Sequence, residues 1–388
     1  MKNQYHNITK YSGGLASLLV LMMAAFFSIE SNAQVKWHPG HYLHCQVGQD
    51  KSGYSWGANE CYPEIEGYGG ALAGIQIRFN WADLEKGKGE YIYKYIDEHL
   101  NRLATQGSKK KRFFMIIETR TFDTSNPLVP CYLMNKCPGY ETAYEGGRYS
   151  WTRSGSSTVI GYGMRLWVPA VKNRFIALIQ ALGKRYNSNS HFEGIGLGET
   201  SMGIPIASTN FSATDEDNYY EAHLDIQQAM RDAFPNSVTT QFANSPAKRL
   251  PYLIPHFENM GTGLGGPDVY IEEEQYLRQG TATTSPGVYT YYPDLSGIVP
   301  LTPSVMSDNY LHTQTADSSR QPTVNELLNF SRDKLKATHL FWTRDGGKND
   351  PKIYVKALQM LQNLKANNPS KWRLSTACPI KYNSCNTN

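Results

Sequence analysis

The segment Gly194-Ile-Gly-Leu-Gly-Glu199 is an apolar, glycine-rich run that ends on a carboxylate. Glycine at every second position lets neighbouring backbone or a bound molecule approach closely. A second run, Gly261-Thr-Gly-Leu-Gly-Gly-Pro-Asp268, repeats the pattern of glycines followed by an acid. Two more acids follow apolar stretches, Glu118 at the end of 113–118 and Asp308 after 299–306. Paired carboxyl groups are the equipment of glycoside hydrolysis: one protonates the leaving oxygen while the other attacks or activates water. About 5–5.5 Å between them suits a nucleophile, and roughly 6.5–9.5 Å leaves room for a water. Glu199 is the first candidate, as general acid. Asp268, then Asp308, then Glu118 are candidates for its partner, and Glu272-Glu273-Glu274 reads as a solvated face.

These acids need a frame. Eight short apolar runs occupy 41–45, 74–79, 113–118, 194–198, 238–242, 261–265, 299–306 and 338–342. Stretches with helical spacing fall between most of them, at 92–105, 168–186, 217–234, 323–335 and 351–364. Strand and helix alternating in this way predicts an α/β fold, a single (β/α)8 TIM barrel spanning 34–388. A doubly wound sheet would want a glycine-rich phosphate turn after its first strand, and none is present. Residues 123–166, with Cys131, Cys137 and many Gly and Tyr, read as an elaborated loop after the third strand. In such a barrel the active residues sit at the carboxyl ends of the strands. That rule places Glu199 at the mouth, on the fourth strand.

Sugar binding has its own signature, aromatic faces for the C–H surfaces of the ring and fixed donors for the hydroxyls. Arg78, Asn80 and Trp81 end the second strand, Asn244 follows the fifth, and His41 lies in the first. Tyr140, Tyr144, Tyr149, Trp151, Tyr162 and Trp167 populate the long loop as outer subsites. As a set they favour an extended, uncharged ligand over a phosphorylated one.

The run Arg78-Phe-Asn-Trp81-Ala-Asp-Leu-Glu85-Lys-Gly-Lys-Gly-Glu-Tyr91 resembles the stretch after the second strand in the large (β/α)8 clan of glycoside hydrolases, especially its β-galactosidase- and cellulase-like members. That resemblance implies an acid/base glutamate ending strand four, which Glu199 matches. It also implies that Trp342, ending strand eight, lies under the sugar at the cleavage point. Two positions depart from the clan. Gly198 stands where an Asn precedes the acid/base, and Asp308 stands near the place of a nucleophilic Glu on strand seven.

Of the residues 40% are hydrophobic and 19% charged, which excludes a disordered tail, a coiled coil or a collagen-like fibre. A net charge of +4 gives no reason to expect nucleic acid as a partner. It also argues against a lyase that neutralises uronates. No P-loop or Gly-x-Ser-x-Gly elbow is present, so no cofactor is implied. Pro39-Gly40 breaks the spacing of His38, His41 and His44, which excludes a helical metal site.

Lys2 and Lys10 precede an apolar run at 15–27, and Ser31-Asn-Ala33 offers small residues for cleavage. This predicts a signal peptide at 1–33, since a membrane span needs about 20 apolar residues. No later segment is apolar enough to cross a bilayer, so export to the periplasm or medium is expected. Six cysteines allow 15 pairings. Proximity favours Cys45 with Cys61, Cys131 with Cys137, and Cys378 with Cys385, in keeping with an oxidising compartment. The sequence therefore predicts an exported glycoside hydrolase acting on a poly- or oligosaccharide. Its rival is a carbohydrate-binding or surface-assembly protein on a barrel without catalysis.

Overall fold

The computed structural model describes residues 34–45, 55–68, 70–105, 111–315, 319–344 and 353–388. The expected signal peptide at 1–33 lies outside the described residues. Eight parallel strands close into a barrel: β1 (Gly40–Cys45), β2 (Gly74–Phe79), β3 (Arg112–Ile117), β4 (Phe192–Glu199), β5 (Val238–Phe242), β6 (Gly263–Gly266), β7 (Leu301–Val305) and β8 (His339–Thr343). Their order around the barrel follows the chain, with β8 hydrogen-bonded to β1. The fold is a (β/α)8 barrel, with each sequence-predicted strand present.

Tyr42, Phe114, Ile116, Phe242 and Phe341 fill the barrel interior. The outward residues of the strands join a larger core with the surrounding helices. The helix Pro169–Tyr186 opens on proline, as its sequence suggests, and buries Val171, Phe175, Leu178, Ile179 and Leu182. The helix Ala213–Ala233 starts earlier than the acid cluster implied, because Ser212 and Asp215 form a reciprocal cap. Thr323 and Glu326 cap Val324–Asn329 in the same way, and a wide π turn at Phe330–Lys334 finishes that element.

The elaborated loop after β3 contributes two strands, Gly161–Met164 and Arg148–Thr152, to a small antiparallel sheet that Ile204–Pro205, from the segment after β4, completes. The Cys131–Cys137 disulfide lies in this loop, and Cys45–Cys61 and Cys378–Cys385 also form as proximity suggested. Three disulfides suit an oxidising compartment. Among the described residues no helix is long and apolar enough to cross a membrane.

The opposite end of the barrel is closed by a buried charge. Glu193 accepts from the backbone N–H of His38 at 2.6 Å, and its carboxylate pairs with His38 Nδ1 at 2.7 Å and His339 Nε2 at 3.3 Å. Burial alone would raise this carboxyl, but hydrogen bonds from His339 and His38 outweigh it and hold it far below the ordinary 4.5. A lowered folded pKa stabilises the fold above the unfolded value and is lost as pH falls below it. Glu193→Gln is therefore expected to cost about 3 kcal/mol near neutrality. It should also flatten the loss of thermal stability below about pH 4.5, readable from melting curves across pH.

Candidate active site

Gly194, Gly196 and Gly198 all face the barrel interior. An added Cβ on them would lie 2.6 Å from the Phe114 ring, 2.4 Å from Thr240 Cγ2 and 2.5 Å from Glu118 Oε2, respectively. Strict alternation would then turn Glu199 outward. Instead the register against β5 shifts, so that Leu197 opposes Gln241 while Glu199 opposes the inward-facing Phe242. A bulge of this kind re-aims a side chain at the rim of a barrel. Glu199 thus enters the mouth, where Arg120 Nη2 donates to its Oε2 at 2.6 Å and Asn244 Nδ2 at 3.2 Å. Arg120 also donates to Ser201 Oγ at 3.1 Å. Its guanidinium lies against both the Phe122 and Trp151 rings, 4.7 and 4.5 Å from their centroids.

Glu118, just beyond β3, takes the space a side chain at 198 would need. Arg78 Nη1 donates to its Oε1 at 2.9 Å, and Arg78 Nη2 lies 3.3 Å from Met306 Sδ. Enclosure raises the Glu118 carboxyl, opposed by the Arg78 charge and aided by the Glu199 charge. A Cβ at 198 would meet the Glu118 carboxylate, so glycine leaves this pairing undisturbed. Gly198→Asn should push Glu118 off Arg78 and cost about 1.5–3 kcal/mol, the worth of a hydrogen bond to a charged group. A melting curve checks the cost, and Gly198→Asn in a Glu118→Ala background should then be tolerated.

Asp268 follows β6 and is half-buried at the same mouth. Its carboxyl is pushed up to about 7, first by burial and then by the negative charge of Glu199. Asn309 Nδ2, 3.4 Å from Asp268 Oδ1, and the Arg78 charge act in the other direction and are outweighed. Asp308 is exposed on the rim, and its neighbour Asn309 takes the inward position, with Oδ1 accepting from the backbone N–H of Val269 and Met306. The mouth therefore brings together Arg78, Glu118, Glu199, Asn244 and Asp268, with Asp308 at its edge.

Other expected contacts lie elsewhere. Trp342 is fully buried on the outer face of β8, and its Nε1 donates to His41 Nδ1 at 3.1 Å. His41 bonds Trp372 O at 2.8 Å through Nε2, among the outer helices, so neither residue reaches a substrate in the mouth. The histidine of β1 that does turn inward is His44, bonded to Thr343 Oγ1 at 2.9 Å. Trp81 is fully buried, donating to Glu85 Oε2 at 2.7 Å, while Glu85 pairs with Arg174 at 2.5 Å. The Trp and Glu of that run brace one another and do not face the mouth. Asn80 stays half-buried at the end of β2.

The loop aromatics are mostly that loop's own core. Tyr144, Tyr149 and Trp167 are buried, and Tyr149 and Trp167 pack 5.1 Å apart. Trp151 does border open space beside the mouth. Arg120 and Asn309 were missed by sequence reasoning, although both follow a strand by two to four residues. The strand-end rule applied to cations and amides as well as acids would have found them.

The chain is thus a (β/α)8 barrel of the architecture found in TIM-barrel glycoside hydrolases, with a cluster of carboxylates at the carboxyl ends of its strands. No protein-family model and no curated protein sequence matches it. In fold it is similar to the catalytic domain of a β-amylase from Paenibacillus polymyxa, with a TM-score of 0.52, 11% identity, and 87% of this chain and 100% of that one covered. It is also similar to a cold-adapted β-galactosidase from Rahnella sp. R3, with a TM-score of 0.52, 10% identity, and 88% and 58% covered. At such identity the likeness concerns the fold alone.

Proposed function

We propose that this protein is an exported hydrolase of O-glycosidic bonds in a poly- or oligosaccharide, acting through Glu199 and Asp268. One observation carries the reading: two acids from different strands share one barrel mouth, in opposite environments. Glu199 accepts hydrogen bonds from a guanidinium and an amide. Asp268 is half-buried and lies close enough to feel the Glu199 charge, and both favour its protonated form. Burial that favours the protonated form of one of two neighbouring carboxyl groups assigns it as the acid. Asp268 is then the general acid that protonates the leaving oxygen, and Glu199 the base or nucleophile. This reverses the role that strand position and resemblance give to Glu199. The architecture shared with a β-amylase and a β-galactosidase supports the substrate class. Three disulfides and the signal-like segment at 1–33 support export.

The test is incubation of purified protein and its Glu199→Gln variant with a broad panel of glycans, following new reducing ends. Release by the wild type alone supports the reading. A specific observation favours the rival, a carbohydrate-binding barrel: both glutamates at the mouth already carry an arginine partner. Binding of one glycan with no release by either protein selects it.

A further inference from the structure

A cavity of about 560 Å³ opens next to Arg120, the partner of Glu199, between the small antiparallel sheet and the start of the helix Ala213–Ala233. Its walls include Arg120, Phe122, Trp151, Arg153, Tyr220 and Lys248. Phe122 is 54% exposed and meets Trp151 edge-on at 5.3 Å, so apolar ring surface is left open to the cavity. The wall is built to hold that shape. Gly203, at φ +68°, lets its segment lie against the Trp151 indole, where a Cβ would come within 2.4 Å of the ring. An exposed aromatic ring such as Phe122 suits the apolar C–H surface of a sugar ring.

The charges on the wall are lopsided. Glu216 is the acid among them, and it is already paired with Lys248 at 2.7 Å and Arg249 at 3.2 Å. Arg120 is committed to Glu199. Arg153 is exposed, and its side chain has no hydrogen bond or ion pair with the described residues. A cation with no partner among the described residues, lining the same cavity as an exposed aromatic ring, matches a ligand that brings its own negative charge. The near-neutral balance of the whole chain hides this local excess, which tells against the uncharged ligand expected from the sequence.

We propose that this cavity is a subsite for an anionic sugar unit, bearing a carboxylate or a sulfate, with Phe122 as its platform, braced by the buried Trp151, and Arg153 reading its charge. The inference rests on reading the mouth as a carbohydrate site and names the class of chain that site takes.

The experiment is calorimetric titration of the intact protein with three probes: galactotriose, trigalacturonate and a κ-carrageenan tetrasaccharide. At low salt at least one anionic probe should bind about tenfold tighter than galactotriose, roughly the worth of one charge-assisted hydrogen bond. The preference should shrink as salt is added. Whichever anion binds tighter separates carboxylate from sulfate. Arg153→Ala should remove most of the preference and leave galactotriose binding unchanged, while Phe122→Ala should weaken all three probes. Equal affinities, a preference that survives Arg153→Ala, or no binding of any probe would overturn the proposal. Reducing ends are read in the same samples. Preference without cleavage keeps the subsite and rejects the hydrolase, whereas cleavage without preference does the reverse.

Discussion

Asp268→Asn is expected to lower kcat by about 10²–10⁴, the usual worth of a positioned acid, with little change in KM. Asparagine keeps the size and the contact with Asn309 but carries no proton to give. In the wild type the rate should fall as pH rises through about 7, where Asp268 loses its proton. That alkaline limb should vanish from the residual activity of Asp268→Asn. Substrates with good aryl leaving groups need less protonation, so the variant should lose least on them. The kcat–pH profiles of both proteins on one cleaved glycan, with and without such a leaving group, check all three points.

Arg120→Leu should be the most damaging change outside the carboxylates. Arg120 is 7% and Glu199 18% exposed at the side chain, so removing the guanidinium strands a mostly buried charge. The cost is about 3–5 kcal/mol of stability. Arg120→Lys should not rescue it. A compact ammonium cannot cover the Phe122 and Trp151 rings while bonding both Glu199 and Ser201. In a Glu199→Gln background the same Arg120→Leu change should cost far less, because no charge is left behind. Denaturant unfolding of the two single variants and the double variant measures this coupling. Near-equal costs of Arg120→Leu in both backgrounds would show that Arg120 acts through packing.

The barrel was legible because its strands are short, apolar and separated by helical spacing. Glu199 and Asp268 were legible because glycines precede both. Which face a strand residue takes was not. In β8 every residue of His339–Thr343 is buried, so no alternation of polar and apolar residues marks the inner face. Trp342 and His41 were therefore assigned to the wrong side, with Thr343 and His44 in the places expected for them. The bulge before Glu199 is equally silent, since nothing in Gly-Leu-Gly-Glu marks where the register shifts. Trp81 misled in another way: its partner Glu85 lies one helical turn on, and only the fold shows that the two bond each other. Arg153 escaped notice because whole-chain charge averages away a local excess.

The central claim is that Glu199 and Asp268 form an electrically coupled pair, and it can be tested without knowing the substrate. Carboxyl carbons of ¹³C-labelled aspartate would be followed by NMR across pH, with Asp268→Asn identifying the signal. A midpoint near 7 for Asp268 is expected, moving down in Glu199→Gln as the neighbouring charge is removed. An Asp268 that titrates near 4, with the same midpoint in both proteins, would contradict the pair and the catalytic role built on it.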